Sequence, residues 1–373
     1  MTKPLRSKLR ALGLMSGTSM DGIDVAMITT DGQGSVVRGA SGAFPYPPEF
    51  QARLREGLEE VKAILAGSER PGVLADLERD LTERHGAAVR QFLQQHGIAP
   101  AAIDVIGFHG QTVLHKPEAK LTVQLGDGQR LADLTGIDVV YDMRAADVAA
   151  GGQGAPLVPV YHQALAGEQP ERPLAFVNIG GVANVTWVGQ GDDLLAFDAG
   201  PGNALIDDWV RTKSGKPWDE GGRLAAAGRL NDAALAQLLA APYFGAPPPK
   251  SLDRNAFDAA ALHGLSLEDG AATLTAFTAV AVSKALAHFP TPPNLWIVAG
   301  GGAKNLTMMA MLGKIIQAPV VTAESLGLSS ASLEAEAWAY LAVRSLRGLP
   351  LTFPKTTGAP AAMTGGVLAR GGK

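Results

Sequence analysis

Cysteine is absent from all 373 residues, which excludes disulfides, thiolate zinc sites, iron–sulfur clusters and cysteine nucleophiles. A positive field is missing too: 36 acidic against 32 basic residues leave a net charge of −4, so the chain lacks the basic surface of a nucleic-acid binder. No apolar run in the sequence reaches the length of a membrane span. The basic start MTKPLRSKLR leads into an apolar segment that MSGTSMDG interrupts at once, which predicts a first strand and not a signal peptide. No low-complexity tract or heptad array appears, and no His, Asp or Glu group has metal-ligand spacing. With 46% hydrophobic and 18% charged residues the composition is that of a soluble globular protein, with the cytoplasm as the default compartment. The length suits two domains of ordinary size.

Within that frame one plan occurs twice: strand, glycine-rich turn, strand, strand. The first copy is LGLMSGTSMDGIDVAMITTDG, 12–32, and the second is AFVNIGGVANVTWVGQGDDLLAFDAGPGN, 175–203. Apolar strands at 103–108, 139–142 and 294–299 alternate with helical periodicity at 49–97, 203–213, 271–288 and 332–346. This alternation predicts an α/β fold with ligands at the strand ends. The glycine- and proline-rich segment 149–159 reads as a loop, and 240–254, with prolines at 247–249, reads as irregular. We expect a domain junction near 160–172, a first domain over 1–165 to which the tail 347–373 returns, and a second over 166–346.

The turn Gly17-Thr18-Ser19-Met20-Asp21-Gly22-Ile23-Asp24 carries two hydroxyls and two carboxylates. A plain hairpin needs only Asp21-Gly22. The surplus ahead of it suits a phosphate cradle, with Asp21 or Asp24 near a Mg²⁺ that arrives with a nucleotide. Gly180 and Gly181, in NIGGVAN, are the counterpart in the second copy. Gly300, Gly301 and Gly302, followed by Asn305, end a strand where backbone can approach adenosine closely, or form a flexible turn. Asp198, in FDAGPGN, either caps its turn or projects as a base from a strand end. His109 and Arg144 also follow strands, where a loop contact or a satisfied polar partner explains each more readily than direct chemistry. Glu334 and Glu336 sit in the first turn of the last helix, where the helix dipole accounts for them.

Two phosphate turns, one per half, are the arrangement of actin-like sugar-kinase ATPases. The stretches MSGTSMDGID, HGQTVLH, QLGDG (124–128), GGQGAPLVP, NIGGVANV, FDAGPGN, PPPKS, AGGGAKN and LEAEAWAYLA, in that order, resemble the anhydro-N-acetylmuramic acid kinases from Met15 to Ala342. The sequence departs from that pattern in two places. Asp142-Met143-Arg144-Ala145-Ala146-Asp147 stands where a run of arginines is usual, which leaves Arg144 as the contact carried over. Lys250–Asn255 stands where Ser-Thr-Gly-Arg-Glu is usual, so no role is carried onto it.

The resemblance implies two actin-like (ribonuclease H-like) domains with a nucleotide cleft between them, and often a homodimer. It implies ATP, Mg²⁺ and water acting on 1,6-anhydro-N-acetylmuramic acid to give N-acetylmuramic acid 6-phosphate, a step in recycling peptidoglycan. The ATP segment falls on Gly17–Asp24, the base on Asp198 and a sugar contact on Glu334. Read from the residues alone, an ordinary sugar or carboxylate kinase and a nucleotide-switch ATPase remain open alternatives. Neither nucleic acid nor membrane is an expected partner.

Overall fold

The computed structural model of the chain describes residues 6–17, 19–167, 169 and 171–372. Thr18 of the predicted phosphate turn lies outside the described residues. The chain forms two compact units, Met1–Gly167 with Ala331–Lys373, and Glu168–Ser330.

The first unit is built on β1 (Leu9–Met15), β2 (Gly22–Thr30) and β3 (Val36–Pro45), an antiparallel meander. β4 (Val105–Phe108) lies parallel to β1. A separate hairpin follows, β5 (Gln111–Lys116) with β6 (Leu121–Leu125). β7 (Val139–Tyr141) is parallel to β4, and the strand Val367–Ala369 closes the sheet antiparallel to β7. In the second unit β8 (Leu174–Ile179), β9 (Val182–Val188) and β10 (Leu194–Pro201) form the meander. β11 (Leu295–Ala299) and β12 (Val320–Thr322) continue it in parallel. The sheet orders are therefore β7-β4-β1-β2-β3, plus the closing strand, and β12-β11-β8-β9-β10. The two halves of the sequence thus repeat one plan, an antiparallel three-strand meander continued by parallel strands beside its first strand.

Each unit has its own apolar core. Strands β4 and β8 are buried along nearly their whole length, which is why they read as continuous apolar runs and not as alternating ones. The helix Leu267–Lys284 fills the second core; extended to His288 it is apolar and long enough to cross a membrane by length and composition, and most of it is buried.

The helix Leu333–Leu346 corrects one expectation. Predicted within the second domain, it packs on β1, β4 and β2 and belongs to the first unit. Glycines on the sheet explain why. A Cβ at Gly13 would stand 1.7 Å from the Ala335 carbonyl oxygen, and one at Gly107 would stand 2.0 Å from that of Trp338. Helix backbone rests directly on strand backbone at both positions.

Candidate functional site

In the first unit, six residues, 16–21, separate β1 from β2, whose register pairs Met15 with Asp24. The loop is therefore more than the two-residue Asp21-Gly22 hairpin that would suffice structurally. Ser19 Oγ donates to Asp21 Oδ1 at 2.7 Å, Met20 N donates to the Gly17 carbonyl at 3.1 Å, and Met20 takes φ 56°. Gly17 has ordinary φ, and a Cβ there would meet nothing nearer than Ser19 Oγ at 3.6 Å. Packing does not demand glycine at that position.

Behind the turn, Ser16 Oγ donates to the Gly110 carbonyl at 2.8 Å, and Gln111 Nε2 donates to that of Gly17 at 3.0 Å. Arg144 donates to His109 Nε2 at 3.2 Å and to the Gly154 carbonyl at 2.8 Å. A guanidinium only donates, so His109 accepts at Nε2 and carries its proton on Nδ1, which faces the Ser16 carbonyl at 3.1 Å. Burial, and then the Arg144 charge, hold His109 well below the usual imidazole range and keep it neutral. Trp338 lies against both: its ring is 4.6 Å from the His109 ring, and the Arg144 guanidinium sits 5.1 Å above it. Burial lowers Arg144 to about 10, opposed by the charges of Glu334 and Asp147.

Asp24 is raised to about 6, first by burial and then by the charges of Asp21 and Glu334. Three carboxylates thus share one neighbourhood at the turn. Among the described residues no group of three His, Cys, Asp or Glu side chains could itself hold a metal ion. A cation that arrives with phosphates needs only one or two protein carboxylates.

The two acidic residues of the last helix have different fates. Glu336 is buried and fully engaged: Arg38 grips it through two bonds of 2.8 Å, Tyr161 donates at 2.6 Å and Ser332 at 2.8 Å. Glu334 is partly exposed and faces the charges of Asp24 and Arg144. Asp147 is structural as well, accepting from Thr357 at 2.6 Å, from Thr352, and from Gly154 N at 2.7 Å. It ties the C-terminal residues to the glycine-rich loop that receives Arg144.

In the second unit the Gly180-Gly181 turn joins β8 to β9. Its carbonyls accept from Asn203 N at 2.7 Å and Gly202 N at 3.0 Å. A Cβ at Gly180 or Gly181 would meet only ordinary contacts at 3.7 Å, as at Gly17. Gly300 is different: at φ 81° its Cβ would strike Asn178 Oδ1 at 2.4 Å, so the fold itself demands glycine, and Gly302 is likewise pressed against Ile179. Gly301, Lys304 and Asn305 line a cavity of about 440 Å³ with Asn203, Asp207 and the exposed indole of Trp218. Asn305 commits its side-chain oxygen to capping the following helix, accepting from Met308 N at 2.9 Å.

Asp198 lies where β10 bulges. Its Oδ2 accepts from Leu252 N at 2.8 Å, and its backbone is gripped by the Lys250 carbonyl at 3.0 Å and the Tyr243 hydroxyl at 2.6 Å. Burial raises it to about 6 against the pull of the Leu252 N–H. The Asp198 carboxylate is thus fixed in place with one oxygen bonded to the backbone of the 250–252 loop.

A family model described as anhydro-N-acetylmuramic acid kinase matches residues 9–370. The chain belongs to that family. It is 55% identical to the anhydro-N-acetylmuramic acid kinase of Methylobacterium nodulans, over 97% of this chain and 100% of the relative. Identity to that of Azorhizobium caulinodans is also 55%, over 96% and 99%. Among solved structures, it is similar to the Acidaminococcus fermentans (R)-2-hydroxyglutaryl-CoA dehydratase component A with TM-score 0.46 and 12% identity, covering 90% of this chain and 99% of that one.

For a member of the anhydro-N-acetylmuramic acid kinase family, three contributors here went unread in the sequence. The Lys250–Leu252 segment, to which no role was carried, holds Asp198; its signal was the PPPKS match at 247–251, which overlaps it. Trp338 stands four residues after Glu334, a spacing that shares a helix face and could have revealed it. Trp218 sits in a stretch with no periodic or motif signal, and only the cavity reveals it.

Proposed function

We propose that this chain is an ATP-dependent kinase that opens the anhydro bridge of 1,6-anhydro-N-acetylmuramic acid with water and phosphorylates O6, releasing ADP and N-acetylmuramic acid 6-phosphate. The observation that carries the reading is Asp198: a carboxylate at the bulge of β10, raised to about 6 and held by Leu252 N, in a chain 55% identical to kinases of that name.

The chemistry calls for one such base. O6 of an anhydro sugar is an ether oxygen without a proton, so nothing on the acceptor needs deprotonating. Water attacks C1 and the C1–O6 bond breaks. O6 takes the γ-phosphoryl group as ADP leaves, and Asp198 takes the water proton. The first unit contributes the turn at Gly17, Ser19 and Asp21 toward the phosphates, and Arg144, His109 and Glu334 toward the sugar. The second contributes the Gly180-Gly181 turn toward the phosphates and the cavity beside Gly301, Lys304 and Trp218 toward adenosine. Asp21 or Asp24 would lie near the Mg²⁺ bound to ATP, whose charge would offset that of the transferring group. We place the enzyme in the cytoplasm, where ATP is available, acting on a small sugar as a homodimer, with neither nucleic acid nor membrane as a partner.

Turnover in ¹⁸O-labelled water tests this. Early in the reaction, before the reducing end exchanges with solvent, the product should carry one label at C1 and none in the phosphate. Phosphorylation with the bridge intact, or equal turnover of the unbridged sugar, would make this an ordinary sugar kinase.

A further inference from the structure

Lys250, half-buried in the loop that holds Asp198, has no acidic partner among the described residues, and burial lowers it below the usual lysine range. Its ammonium donates instead to the Tyr243 carbonyl at 3.0 Å and meets Nε2 of His288 at 3.3 Å, where the long helix Leu267–His288 ends. It also lies 4.8 Å from the centre of the Tyr243 ring and 5.5 Å from that of Phe197, the residue before Asp198. An ammonium only donates, so His288 accepts at Nε2. Burial, and then the Lys250 charge, hold His288 below the usual imidazole range. Burial, and then the Asp198 charge, raise the Tyr243 hydroxyl, which stays protonated and donates to the Asp198 carbonyl at 2.6 Å.

Between Tyr243 and Lys250 stand Pro247, Pro248 and Pro249, which offer no N–H. Those residues cannot tie the segment back on itself through the backbone; the Lys250 side chain reaches across them and does so. The closed loop then makes three bonds to Asp198. The Tyr243 hydroxyl takes its carbonyl, the Lys250 carbonyl takes its N–H at 3.0 Å, and Leu252 N takes Oδ2 at 2.8 Å. Resting on the reading of Asp198 as the base, we propose that Lys250 is a positioning residue for it. The Lys250 ammonium keeps the 243–252 loop closed, and the loop holds the carboxylate where water is deprotonated. Lys250 acts through Tyr243 and Leu252.

The test is steady-state kinetics across pH with Lys250→Met, Lys250→Arg and Tyr243→Phe, beside Asp198→Asn. Methionine keeps the length and the apolar stem but donates nothing. Lys250→Met should lose about tenfold in kcat, the lower end of the worth of a hydrogen bond to a charged group. The KM values for ATP and for the anhydro sugar should stay close to wild type. A loosened Asp198 also gives up part of the Leu252 N–H bond that lowers its pKa, so the acid limb of the kcat profile should move up from about 6. Tyr243→Phe should change both in the same direction, and Lys250→Arg, which keeps a cationic donor, should recover most of the loss. Wild-type kcat with an unmoved acid limb in Lys250→Met would overturn the role. So would a loss shared by kcat and both KM values with the limb in place, which is what a residue of the fold alone gives. If Lys250→Met does not fold, Tyr243→Phe carries the same two readouts. An Asp198→Asn variant that keeps more than about a tenth of wild-type kcat would overturn the base itself, and this role with it. An inactive Asp198→Asn beside an unaffected Lys250→Met overturns this role alone.

Discussion

Arg144 and His109 meet at 3.2 Å over the face of Trp338, and each fixes the state of the other. The guanidinium forces His109 to accept at Nε2. The neutral imidazole in turn leaves Arg144 its full charge for a ligand, with its orientation set by the Gly154 carbonyl. A buried, preset cation of this kind costs little to organise when substrate arrives.

Arg144→Lys should therefore disable the sugar side and spare the nucleotide side. Lysine offers a point charge without the planar fork that spans His109 and Gly154. We expect kcat/KM for the sugar to fall by at least about tenfold, the worth of one charged hydrogen bond. The KM for ATP should stay close to wild type in steady-state kinetics. A parallel rise in both KM values would assign Arg144 to the fold and not to the sugar.

Asp198→Asn should lose turnover and gain stability together. Loss of a general base costs on the order of a hundred- to ten-thousandfold in kcat. Burial raises Asp198 from 3.8 to about 6, so between those values the folded state holds a proton that the unfolded chain releases. Wild-type stability from this group therefore falls as pH rises through that window. Above it asparagine removes the cost of the buried charge, on the order of 1–2 kcal/mol allowing for partial exposure. Thermal unfolding at pH 7.5 and pH 4 reads this directly: the variant should melt higher at the first, with the gap closing at the second. A variant that keeps more than about a tenth of wild-type kcat would demote Asp198 to a turn residue.

The pH dependence of the wild type follows from the same direction of shift. Asp198 works as a base only when ionised, and Asp24 shares its midpoint near 6, so kcat/KM should decline as pH drops below about 6. Glu334→Gln removes one of the charges that raise Asp24, so the Asp24 carboxyl should titrate lower in that variant. Carboxyl NMR follows the shift, and an unmoved Asp24 would separate Glu334 from the phosphate turn.

Gly17→Val and Gly180→Val should weaken ATP-analogue binding in calorimetric titrations while the protein stays folded, because a Cβ at either position meets no close neighbour. Gly107→Val should do the reverse and unfold the first unit, because its Cβ would enter the Trp338 carbonyl. Unchanged affinity in a folded Gly17 or Gly180 variant would reduce that turn to a connection between strands.

Local chemistry determined much of this protein in advance. The repeated strand–turn–strand plan, the positions of His109 and Arg144 after their strands, and the surplus residues of the first turn all follow from short-range pattern, whereas the strand expected to stop at Asp198 runs on to Pro201. Such signals are carried by neighbours in the chain, so the sequence displays them. Other features depend on which distant segments meet. Glu334 and Glu336 look alike in the first turn of one helix, yet Arg38, almost 300 residues away, claims only Glu336. The helix that bears them, expected in the second domain, settles on the first because Gly13 and Gly107 let its backbone approach the sheet. Asp198 owes its raised pKa to burial and its fixed oxygen to Leu252, 54 residues on, in a loop whose motif departs from the family pattern. Residue type and spacing determine what a side chain can do; only the tertiary contacts decide which side chains are left free to do it.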